Sequence, residues 1–151
     1  MKYCQAFIIF IIILTSSCRS GNKGNDCKYG KPTEIFNTNT PGIQQHNFKT
    51  QNNEAREEVV FTDGLALTLL QSGCNEIRQE FQFNLNGDLR NQAPEFWINE
   101  AVRLLKRLGN MGFNYNGFTQ WAQLIEAQQG NIKLAESIEL QAGFTSQLTE
   151  L

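Results

Sequence analysis

The dipeptide Asp63-Gly64 constrains this chain more than any other feature, because it sits between two apolar runs, Val59-Val60-Phe61-Thr62 and Leu65-Ala66-Leu67-Thr68-Leu69-Leu70. A two-residue connection with positive φ at both positions turns the chain back on itself, so the flanking runs pair as antiparallel strands. Ser72-Gly73 supplies the next turn. From Ile77 onward the odd positions Ile77, Phe81, Phe83 and Leu85 are apolar, while Arg78, Glu80, Gln82 and Asn84 are not. That alternation is the period of a half-buried strand, and Asn86-Gly87 closes an antiparallel meander over about residues 58–85.

The period then changes. After Pro94, suited to a first helical turn, Trp97, Ala101, Leu104, Leu105 and Leu108 fall on one helical face, which predicts a helix over about 95–108. Arg103, Lys106 and Arg107 lie late in it, where cations favour the helix dipole, and Gly109 is placed for a left-handed stop. Phe118, Trp121, Ala122 and Ile125 predict a second helix over about 117–129. Beyond Gly130, Ile132, Leu134, Ile138 and Leu140 alternate as in a strand, although Leu134, Ile138 and Ala142 also fit helical spacing. The strand reading is preferred, and Gly143-Phe144-Thr145-Ser146-Gln147-Leu148 reads as another short strand after a glycine break. The expectation is an α+β domain in which an antiparallel sheet carries two helices on one face, with further short strands at the C-terminus.

The N-terminus has a different composition. Met1-Lys2-Tyr3-Cys4-Gln5 bears one positive charge, Ala6 to Leu14 is unbroken apolar chain, and Thr15-Ser16-Ser17-Cys18 follows. Charge, apolar run and small residues in that order read as a secretory signal peptide over residues 1–17. Nine residues make about 14 Å of helix against about 30 Å of hydrocarbon, so a permanent helical span is disfavoured. The segment resembles the export signals of bacterial lipoproteins, which end in an apolar residue, two small residues and a cysteine; here Leu14 lies four residues before Cys18, and Thr15 stands where the usual pattern is apolar. The resemblance implies cleavage before Cys18, lipidation of Cys18 and attachment to a membrane of the bacterial envelope. An ordinary signal peptidase would accept Ser17 and Thr15 at the same bond and leave no lipid.

Cysteine numbers agree with the lipid. Cys4 leaves with the signal, and a lipidated Cys18 leaves Cys27 and Cys74 as a pair in an oxidising compartment, where a disulfide is expected; two buried thiols are the alternative. Residues 18–26 contain no large apolar side chain beyond Cys18 and read as a flexible tether. Residues 27–151 read as one domain, whose first part, 27–56, is irregular, extended chain with room for one short edge strand and with Tyr29, Ile35, Phe36, Ile43 and Phe48 as anchors.

Composition narrows the partners. The formal charge is −2 with no basic block, which argues against nucleic acid. His46 is the only histidine, too few donors for a zinc site, and no cofactor fingerprint is present. Set in polar, turn-rich text, His46 reads as a solvated loop residue rather than a general base. Carboxylates occur as Glu57 with Glu58 and as Glu76 and Glu80 around Arg78; the second group suits a solvent-facing strand. The stretch Gly109-Asn110-Met111-Gly112-Phe113-Asn114-Tyr115-Asn116-Gly117-Phe118 mixes aromatics with glycine and asparagine as binding loops do, making Phe113, Asn114 and Tyr115 candidate contact residues. The competing reading has these aromatics turned inward to seal the helices over the sheet. The resulting expectation is an envelope-tethered interaction module with an envelope protein as partner; a small carboxylate hydrolase is the alternative.

Overall fold

In a computed structural model the chain is described at residues 6–14, 28–87, 89, 91–141 and 144–150. Among the described residues seven strands form one sheet: β1 (Ala6–Leu14), β2 (Ile43–Gln51), β3 (Glu54–Phe61), β4 (Ala66–Gly73), β5 (Ile77–Leu85), β6 (Ser137–Gln141) and β7 (Phe144–Glu150). Their spatial order is β2-β3-β4-β5-β1-β7-β6, and every neighbouring pair is antiparallel. Helices α1 (Pro94–Gly109) and α2 (Asn116–Ala127) separate the meander from the C-terminal hairpin. The fold is α+β, as the change of period from two to 3.6 requires.

The period-two pattern decides which face is covered. Val59 and Phe61 of β3, Leu67 and Leu69 of β4, and Phe81, Phe83 and Leu85 of β5 are buried together with Trp97, Ala101, Leu104, Leu105 and Leu108 of α1 and Phe118, Ala122 and Ile125 of α2. Phe81 meets Phe118 and Trp121 edge-on, at ring separations of 5.5 and 6.1 Å, which locks α2 onto the middle of the sheet. The alternate residues Val60, Thr68, Leu70, Glu80 and Gln82 lie on the other face and are only half-buried.

Several local expectations are corrected. Residues 43–51, expected within irregular chain, form a nine-residue strand that returns through Asn52-Asn53, with Asn52 at φ 56°. As an edge strand, β2 buries only Ile43 fully, so its sequence lacks a clean alternation. The Asp63 turn is longer than two residues: Phe61 N donates to Leu65 O at 2.9 Å, and only Gly64 has positive φ, at 85°. That is a three-residue loop with its bulge at glycine, and Asp63 keeps a right-handed φ because its Oδ1 accepts from Leu65 N at 3.3 Å. Gly109 is not a left-handed stop either. It is the last helical residue, and a Cβ there would meet the Thr119 hydroxyl and lie 2.8 Å from Thr119 N, so glycine permits the close crossing of α1 and α2.

The apolar run expected to direct export is β1. It pairs along its whole length with β5, from Ala6 opposite Leu85 to Leu14 opposite Ile77, and with β7 from Ile8 opposite Glu150 to Leu14 opposite Phe144. Five isoleucines make this a strong strand former, and the β-branched, apolar character that suits an export signal suits a central strand equally. No helix among the described residues is long and apolar enough to cross a membrane.

Candidate functional site

The helix-free face of β2 to β5 is laid out by register. Directly opposed residues share a face, so three rows cross it: Asn47-Glu58-Thr68-Gln82, Lys49-Arg56-Leu70-Glu80 and Gln51-Glu54-Ser72-Arg78. The last two rows line a hollow of about 780 Å³, open to solvent, to which Ala55 and Gln71 also contribute. Lys49, Arg56 and Arg78 put three cations there against the two carboxylates Glu54 and Glu80, in a chain of formal charge −2. The hollow is therefore locally more positive than the molecule.

Hydrogen bonds link several of these side chains to their neighbours. Glu80 accepts from Gln82 Nε2 at 2.7 Å and lies 3.7 Å from Arg78 Nη2. Glu58 accepts from Arg56 Nε at 2.9 Å and from Asn47 Nδ2 at 3.2 Å, and these donors, Arg56 first, hold its carboxyl below the usual carboxylate range. Lys49 stands in the same row as Arg56 and Leu70. Chemically the hollow offers ammonium and guanidinium donors, amides and one half-buried leucine, a set that grips polar or anionic groups by multiple hydrogen bonds.

A second polar group lies on the covered face. Glu57 is fully buried; its carboxylate accepts from Phe36 N at 2.8 Å, from Ile35 N at 3.0 and 3.2 Å, and meets His46 Nε2 at 2.7 Å. These bonds fasten the extended segment around Phe36 across the sheet, and Phe36 then stacks on Tyr115 and Phe118. The solvated-loop reading of His46 is corrected: it stands in β2 with its side chain 9% exposed. Glu57 and Glu58, adjacent in sequence, point to opposite faces and form no joint acid pair, as strand pleating demands. Alternation with Val59 and Phe61 places Glu57 on the covered face, but nothing within β3 shows what satisfies a carboxylate there, because its partners Ile35, Phe36 and His46 lie upstream.

The sequence-selected residues are spread apart. Asn114 is exposed, the side chain of Phe113 is outside the description, and Tyr115 is buried with its hydroxyl 2.8 Å from Thr40 Oγ1. The interhelical loop thus contributes Tyr115 to the core. Cys18 and Cys27 lie outside the described residues, and Cys74, between β4 and β5, is disulfide-bonded. No disulfide has both of its cysteines among the described residues. Tyr29 N donates to Cys74 O at 3.0 Å, which brings the chain two residues after Cys27 against Cys74.

No protein-family model, curated protein or solved structure matches the chain.

Proposed function

We propose that this chain is exported, tethered to a membrane of the bacterial envelope through a lipid on Cys18, and acts there as a binding module whose contact surface is the helix-free face of β2 to β5. The observation that carries the binding reading is the hollow of about 780 Å³, whose lining residues Arg56 and Glu80 hydrogen-bond to Glu58 and Gln82, each two positions along the same strand. Ordered polar groups on a rigid sheet lose little freedom when they meet a ligand, which is what recognition needs. The partner is an envelope protein presenting acidic or amide-bearing groups, which the ammonium and guanidinium donors of Lys49, Arg56 and Arg78 can engage by multiple hydrogen bonds. A pairing of Cys27 with Cys74 fits the oxidising compartment and the approach of Tyr29 to Cys74.

The hydrolase alternative receives less support, because Glu80, one of its two carboxylates in the hollow, is already engaged by Arg78 and Gln82.

Two measurements test the proposal. Metabolic labelling with a fatty-acid probe should mark the wild-type chain and not Cys18→Ala; label that survives the substitution refutes the tether. Crosslinked capture from envelope extract should lose its specific partner band in Lys49→Glu/Arg56→Glu while circular dichroism stays native. Undiminished capture by that variant refutes the assignment of the face.

A further inference from the structure

The meander and the C-terminal hairpin do not touch within the sheet. β1 alone joins them, using both of its edges, with β5 on one side and β7 on the other. That same segment is the export signal of the proposed function, and the expected cut falls between Ser17 and Cys18, three residues beyond the last paired residue, Leu14. Once cut, β1 has no covalent hold on the domain. Its departure opens a slot two strand spacings wide, about 9–10 Å, flanked by unpaired N–H and C=O groups on β5 and β7.

We propose that in the processed protein this slot accepts an extended strand from a partner polypeptide, running antiparallel to both β5 and β7; the inference rests on the export reading above. Register states what such a strand must carry. Positions opposite Phe81, Phe83 and Leu85 enter the helix-covered face, where those three residues are at most 6% exposed, so they must be apolar. The intervening positions face the other side.

A second observation concerns that other side. Asn84 Oδ1 is buried without a hydrogen-bond partner, and the residue directly opposite it in β1 is Phe7, which has no donor. Its neighbour on the other flank, Ala66, has none in its side chain either. A buried amide oxygen left unpaired is costly, so the resident strand is an imperfect complement. A partner strand with threonine, serine or lysine at that position supplies the missing donor and displaces the leader sequence on energetic grounds. The fitting partner is thus an apolar strand with alternate positions for the core and one polar donor opposite Asn84, the mode of β-strand addition.

The test uses the protein as cells deliver it. The full chain is expressed in a bacterium, isolated from the membrane fraction, and its N-terminus read by intact mass. A retained leader overturns both the export reading and the slot. Where the mass shows cleavage before Cys18, a fluorescent peptide of residues 6–14 with lysine pairs at its ends is titrated in, alongside a second peptide with threonine at the position of Phe7. The expected result is saturable 1:1 binding that slows hydrogen exchange in β5 and β7, about tenfold tighter for the threonine peptide, with Asn84→Leu removing the preference. No binding, or binding without protection of β5 and β7, overturns the slot while leaving the export reading intact. Equal affinity of the two peptides overturns the role given to Asn84.

Discussion

Replacing Glu57 with alanine removes an acceptor that serves Phe36 N, Ile35 N and His46 Nε2 at once. Phe36 is fully buried, so its N–H is cut off from protein and water alike, and an orphaned buried donor costs about 1–3 kcal/mol. Ile35 is only partly buried, and solvent recovers part of its loss. With the void left by the side chain added, Glu57→Ala should cost about 3–5 kcal/mol, a large share of the 5–15 kcal/mol typical of a whole domain. Glu57→Gln is the informative control. Its carbonyl can replace Oε1, which takes the two shortest bonds, but its NH₂ then faces Ile35 N, donor against donor; the expected cost is about 1–2 kcal/mol. Urea unfolding followed by the fluorescence of Trp97 and Trp121 reads both, and the alanine midpoint should fall by about 2 M. A loss under about 1 kcal/mol for Glu57→Ala, or equal losses for the two variants, would falsify the claim that this carboxylate fastens the segment around Phe36 to the sheet.

Tyr115→Ala should lower stability by about 3–5 kcal/mol and Tyr115→Phe by about 1 kcal/mol, since the second loses only the bond to Thr40; thermal unfolding separates them, and a silent Tyr115→Ala returns the loop to the surface. Gly109→Ala should cost about 1–3 kcal/mol despite alanine's better helix propensity, because its methyl group collides with Thr119, and Thr119→Ala should rescue it only in part, as backbone N remains 2.8 Å away. Asp63, held at about 2 chiefly by its two hydrogen bonds from Arg107, contributes stability that is present above its unfolded value near 4 and lost as pH falls toward 2. The pair is exposed, so Asp63→Asn should flatten the acid limb of the stability curve by less than about 1 kcal/mol; a change above pH 5 would contradict this assignment.

Much of the architecture was legible before folding. The stripe Trp97, Ala101, Leu104, Leu105, Leu108 marked α1 and its buried face, because a helix against a sheet hides one side and its period exposes which one. The alternation from Ile77 to Leu85 marked β5 for the same reason. Edge strand β2 was legible only as room for one short strand: Ile43 alone is buried in it, and the next inward residue, His46, is polar and covered by partners from elsewhere, so no clean alternation appears.

The candidate surface was decided by tertiary structure. Lys49, Arg56 and Arg78 lie on three strands and meet only through register, which no single stretch of sequence contains. Tyr115 and Asn114 share one loop, yet one is buried and the other exposed, because Phe36 and Thr40, some 75 residues earlier, supply the stack and the hydrogen bond that draw the tyrosine inward. Local residues alone determine hydrophobic period, turn chemistry and the apolar character of Ala6 to Leu14. They do not determine what that apolar segment meets: the same β-branched run suits an export signal or the gap between β5 and β7, and only the edges presented by the folded chain decide whether it forms a strand there.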